Sequence, residues 1–109
     1  MNKVMLVGRL VKEPELKAFE DNFLCKFTLA VNTGHINSKG EKEVDFIPVA
    51  LWGKRAETFN KYMKKGNMVS ISGKLKIRNF EVDGNRKYVT EVVAENFQFL
   101  EWNNKNEMV

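Results

Sequence analysis

Two runs of the chain interleave aromatic rings with positive charge. Residues 68–80 (MVSISGKLKIRNF) alternate strictly. Val69, Ile71, Leu75 and Ile77 fall on one side and read as core, and Ser70, Ser72, Lys74, Lys76, Arg78 and Phe80 fall on the other. In residues 44–52 (VDFIPVALW), Ile47, Val49 and Leu51 suit a core, which turns Phe46, Pro48, Ala50 and Trp52 outward, with Lys54 just beyond. Rings and cations on one exposed surface suit an unpaired nucleic-acid strand. Cations follow the phosphates, and rings stack on bases at about 1–3 kcal/mol per base, whatever the base, because every base has a π-face. Duplex readers need instead a helix or ribbon fitted to a groove. A second core or a subunit contact would also account for the rings, but not for the cations beside them.

Catalytic chemistry has little to work with. One His (His35) and one Cys (Cys25) cannot make a structural zinc site unless carboxylates complete it. A lone cysteine excludes an internal disulfide and fits a reducing compartment. Glu41, Glu43 and Asp45 alternate at the start of the third strand. Metal-dependent cleavage of nucleic acid would want a second acidic cluster or a general base beside them. The expectation is a non-enzyme with no metal and no cofactor.

Charge distribution agrees with a polyanionic partner. Between Lys54 and Lys87 ten basic residues face three acidic ones, a net +7, which leaves −3 on the rest of a chain whose total is +4. No run of about 18 apolar residues could span a membrane, and the N-terminal MNKVMLVGRL reads as a strand, not a signal peptide. A cytoplasmic, nucleoid-associated protein is expected.

The elements that must hold these side chains follow from periodicity. Residues 3–11, 23–32, 44–52, 68–80 and 86–100 read as five strands, and Asp83-Gly84 as the last hairpin turn. Residues 12–21 and 33–43 read as loops. Ala56, Phe59 and Met63 recur at helical spacing over Lys54–Lys65, and Gly66 fits a helix-ending glycine. A slip of alternation near Val92-Val93 suggests a bulge, and Pro48 argues for an edge position or a bulge in its strand. The first strand is apolar on both sides. Val4, Leu6 and Leu10 suit the core, while Met5 and Val7 face outward and call for a cover, most simply a second subunit. The fold class is all-β with one short helix. Five strands with a helix between the third and fourth are the layout of the OB-fold, a five-stranded Greek-key barrel. The domain is expected over residues 1–102, followed by a short tail at 103–109.

Those blocks carry a resemblance. NKVMLVGRLVKEPELK, FTLAVN, DFIPVALWGKRAE, KYMKKGNMVSISGKLKIRNF and YVTEVVAENFQFL, in that order over residues 2–100, resemble the bacterial single-stranded DNA-binding protein family. The resemblance implies an OB-fold subunit in a homotetramer, a dimer of dimers in which first strands pair to make each dimer. It implies sequence-independent binding and protection of single-stranded DNA in replication, recombination and repair. It aligns base-stacking aromatics with Phe46, Trp52 and Phe80, and phosphate contacts with Lys54, Lys64, Lys65, Lys76 and Arg78. Lys74 belongs with them by its place on the strand, and Lys3 and Arg9 match basic positions of the first strand. His35 stands where the family usually has a further aromatic, and Pro48 where a polar or basic residue is commoner. The family's acidic, partner-recruiting tip has no counterpart in NNKNEMV, which puts tail-mediated recruitment of replication and repair proteins in doubt. The alternative is a replication-restart adaptor, an OB-fold dimer acting mainly through protein contacts. Keeping all three aromatics favours the strand binder.

Overall fold

The computed structural model of the protein describes residues 1–100, so the expected tail at 103–109 and the end of the domain at 101–102 lie outside the described residues. Six strands and one helix follow in the order β1 (Val4–Leu10), β2 (Glu15–Ala18), β3 (Phe23–Ile36), β4 (Lys42–Trp52), α1 (Lys54–Tyr62), β5 (Met68–Val82) and β6 (Asn85–Phe99). The sheet order is β1-β5-β6-β4-β3-β2, and β1 also pairs with β3 through Arg9–Ala30 and Leu10–Leu29. That last pairing closes a five-strand barrel, the OB-fold layout expected. Among the described residues only β4 and β6 run parallel.

The core is built as alternation requires. Cys25, Phe27 and Leu29 of β3, Val49 and Leu51 of β4, Val69 and Ile71 of β5 and Val92 of β6 are all buried. Helix α1 plugs one end with Ala56 and Phe59, and Met63 follows just past it. The Phe59 ring stacks on Phe27 at 4.3 Å between centroids and meets Phe97 edge-on at 5.2 Å. Offset and edge-on contacts are the favourable aromatic geometries, and they fix the helix against the barrel.

Two close approaches demand glycine. A Cβ on Gly8 would lie 2.6 Å from the Ala30 carbonyl oxygen, where β1 bends across to β3. One on Gly73 would lie 2.1 Å from the Val93 oxygen.

The structure departs from the sequence reading in five places. Residues 15–18, read as loop, form β2 and pair with β3 from Glu15–Lys26 to Ala18–Phe23. Much of 33–43, also read as loop, extends β3 and β4, with an irregularity between Asn32 and Ile36. Helix α1 stops at Tyr62, because Met63 is already extended (φ −91°, ψ 137°). Gly66 therefore does not end the helix. It takes φ 89° in a turn where its N–H donates to the Leu10 carbonyl at 2.8 Å and Asn67 N–H to that of Lys64 at 3.0 Å. The bulge falls at Glu95, since Ser72 pairs with Asn96 and Gly73 with Ala94. Finally, Leu75 and Ile77, read as core, are 44% and 57% exposed. From there β5 and β6 run out as a two-stranded arm beyond the barrel, paired down to Val82–Asn85. The arm turns at Asp83 and Gly84, both with positive φ (52° and 79°), as a tight hairpin requires.

Candidate nucleic-acid interface

Residues paired across neighbouring strands share a face of the sheet, so the register maps the barrel's outside. On β4, Phe46, Pro48, Ala50 and Trp52 stand opposite Ala30, Thr28, Lys26 and Leu24 of β3. Ala50 also pairs with Val93 of β6, and Val93 with Lys74 of β5. Continuing along the arm, Glu91, Val89 and Lys87 oppose Lys76, Arg78 and Phe80. One continuous face therefore carries Phe46, Trp52 and Phe80 together with Lys26, Lys74, Lys76, Arg78 and Lys87. The three rings are open to solvent, at 66%, 40% and 45% exposure respectively. Phe46 and Trp52 are six residues apart, roughly 20 Å along an extended strand. A groove of about 280 Å³ lies between Lys12, Lys26, Pro48 and Glu91.

Local structure explains the layout. Pro48 sits on β4 just before the pairing with β6 begins at Val49, so the donor it lacks is missing from an unpaired edge, as the sequence suggested. Ala50, expected outward, does share this face, but between Lys26 and Val93 its methyl is fully covered.

Charges on the face are not equivalent. The Arg78 guanidinium donates from Nε to a carboxylate oxygen of Glu91 at 2.6 Å. Glu91 is buried, so it needs this partner, since a buried carboxylate without one is strongly unfavourable. Arg78 keeps 44% of its side chain exposed and can still meet a strand. Arg55 is committed elsewhere, to the Glu95 carbonyl, the Asn96 side chain and the Phe97 ring.

Several expected residues lie off this face. Lys54 opens α1, two residues past Trp52. Lys64 and Lys65 sit in the turn after the helix, with Lys65 N–H donating to Glu13 at 2.9 Å. His35 is exposed near the tip of the β3–β4 hairpin, its N–H donating to Thr33 Oγ1 at 3.1 Å. Lys3 and Arg9 share the parity of Met5 and Val7 on β1, and Arg9 Nη1 donates to the Gly66 carbonyl at 3.0 Å. Arg9, however, pairs with Ala30, which stands opposite Phe46, so the register puts Arg9 beside the Phe46 end of the face. Lys3 precedes β1, next to the Val4–Gly73 pair that neighbours Lys74.

Sequence reasoning missed Lys26 and Phe19. Lys26 lies near the start of β3 and lines the groove. Phe19, in the stretch read as loop, stacks on Trp52 at 5.9 Å and 27° between planes. Alternation of Glu15, Lys17 and Phe19 against Leu16 and Ala18 was the signal that could have found it.

Met5 and Val7 are exposed as expected. They oppose Ser72 and Ser70, which in turn oppose Asn96 and Gln98. This second stretch of the exterior carries no charge between Met5 and Val7 on β1 or on those four partners. Among the described residues, β1 before Arg9 pairs only with β5, and no described strand lies on its other edge there.

Buried Cys25 has its thiol pushed up from 9.0 to about 11 by desolvation, which leaves it unreactive near neutrality. Among the described residues no cluster of three or more His, Cys, Asp or Glu could hold a metal, and no helix is long and apolar enough to cross a membrane.

Residues 1–100 match the model of the single-strand binding protein family. The chain belongs to that family. It is 55% identical over 104 residues to single-stranded DNA-binding protein 1 of Clostridium acetobutylicum, covering 93% of this chain and 94% of that protein. It is 46% identical over 109 residues to the single-stranded DNA-binding protein of Staphylococcus aureus strain MRSA252, covering 98% of this chain and 70% of that one. Among solved structures it resembles the Plasmodium falciparum single-strand binding protein in complex with single-stranded DNA. The TM-score is 0.81 at 26% identity, over 93% of this chain and 96% of that one. Family members are non-catalytic, and these matches do not favour the replication-restart alternative.

Proposed function

We propose that the protein binds single-stranded DNA without regard to base order, with the strand lying across the β3–β4–β6–β5 face. The observation that carries this is the sharing of one exposed face by Phe46, Trp52 and Phe80 with Lys26, Lys74, Lys76 and Arg78. Rings supply stacking that any base satisfies, and cations neutralise phosphates. Lys54 at the start of α1 and Lys64 and Lys65 beyond its other end add positive charge outside this face, and His35 adds a smaller ring near the hairpin tip. The biological setting is replication, recombination and repair, in the cytoplasm at the nucleoid.

The working unit in this reading is a homotetramer. The uncharged exposed side of β1, with Met5 and Val7, and its edge from Val4 to Gly8, on which no described strand lies, support association between copies. Lys3 and Arg9 flank that stretch, and Arg9 adds positive charge at the Phe46 end of the binding face, across Ala30.

Titration with poly(dT) tests the binding claim. Stacking on Trp52 should quench its emission, with a Trp52→Phe variant separating its signal from that of Trp102. Affinity should fall with salt at a log–log slope of roughly −0.7 per phosphate neutralised. Trp52→Ala and Phe80→Ala should each weaken binding by about 1–3 kcal/mol on all sequences alike. An unquenched signal that ignores salt would remove the reading.

A further inference from the structure

We infer that Phe19 is a further base-stacking residue and that the strand path continues past Trp52 onto β2. This rests on the binding face proposed above. The register places it there. Trp52 opposes Leu24 and Leu24 opposes Lys17, so Lys17 shares the Trp52 face across β3, and Phe19 follows Lys17 at the same parity. Phe19 is 52% exposed, an unusual place for a phenyl ring on a turn.

The turn that carries the ring is held firmly. Phe19 N–H donates to the Asn22 carbonyl at 2.7 Å, and Phe23 N–H donates to Asn22 Oδ1 at 2.9 Å. Gly53 N–H donates to the Phe23 carbonyl at 2.9 Å, which ties the hairpin to the residue following Trp52. The backbone that carries Phe19 is thus tied to the backbone next to Trp52.

Ring geometry makes a platform, not a plug. At 5.9 Å between centroids and 27° between planes, the two rings overlap only in part. Fully eclipsed rings would sit closer, so Phe19 leaves part of the Trp52 surface open and offers its own beside it. Lys17 supplies a cation next to the pair, while Glu20 and Asp21 at the turn oppose it. Binding at this end therefore draws on stacking more than on charge.

Phe19→Ala and Phe19→Leu, titrated with a dT oligomer long enough to cross the face, test the inference beside Trp52→Ala. Each Phe19 variant should bind about tenfold more weakly, within the range of one lost base stack, with the salt slope unchanged. Leucine keeps an apolar cover on Trp52 but has no π-face, so it should not rescue binding, and Phe19→Trp should. If Trp52→Ala weakens binding while either Phe19→Ala or Phe19→Leu binds like the parent, Phe19 merely covers Trp52 and the inference is wrong. If Trp52→Ala itself binds like the parent, the failure belongs to the proposed face. Thermal melts of the variants should match the parent, since the side chain is half exposed.

Discussion

The barrel presents two unlike stretches of exterior, joined along β5. One runs over β3, β4, β6 and the arm and mixes three open rings with cations. The other combines Met5 and Val7 with Ser70, Ser72, Asn96 and Gln98. The same β5 strand turns from serine to lysine on its outward side between Ser72 and Lys74. The contrast teaches what each surface can hold. A polyanion needs fixed positive charge and gains from rings that need not be buried. A second protein copy needs apolar and hydrogen-bonding area without net charge, because like charges juxtaposed in a symmetric contact repel.

The largest effect should come from erasing that contrast on the uncharged side. A Met5→Lys, Val7→Lys double variant places like charges across any two-fold contact through β1, on the order of several kcal/mol against association. Its solution mass should fall below that of four chains, while its single-strand site remains. An unchanged assembly would separate β1 from the interface. Next comes the seam between the two stretches. Gly73→Ala forces a methyl against the Val93 carbonyl beside the Glu95 bulge and should cost about 3 kcal/mol in urea unfolding. An alanine that is tolerated would show that the seam gives way easily.

Smaller effects sharpen the charged side. Lys76→Ala should reduce the salt slope of binding by roughly 0.7, the share of one phosphate, with little change in stability. Arg78→Ala is a poorer probe, because it also strands the buried Glu91 carboxylate. The smallest effect concerns the core that both stretches share. Burial raises the Cys25 pKa from 9.0 to about 11, so the folded chain holds the thiol proton more tightly than the unfolded chain. Its contribution to stability is complete below about pH 9 and is lost as pH rises through about 11. Stability of Cys25→Ala should therefore fall less steeply than the parent's across that window, and alkylation of the native thiol should be slow at neutral pH.

Sequence periodicity carried most of this architecture. Alternation in β5 correctly sorted Lys74, Lys76, Arg78 and Phe80 from Val69 and Ile71. It misjudged Leu75 and Ile77, because alternation reports a pleat and not what lies over it, and nothing local reveals where a strand leaves its barrel. The expectation for Gly66 failed for a related reason. A positive-φ glycine after lysines fits a helix end or a tight turn equally well, and the hydrogen bond to Leu10 that decides between them is distant in sequence. Strand β2 escaped notice because four residues behind Pro14, rich in charge, carry almost no periodic signal until β3 is known to lie beside them. Phe19 was lost with it.

Photo-crosslinking a thymidine oligomer to the intact protein, followed by peptide mapping, tests the central contrast most directly. Crosslinks should fall on Phe46, Trp52 and Phe80. Crosslinks confined to Met5, Val7 and the Ser70–Ser72 stretch would contradict the account.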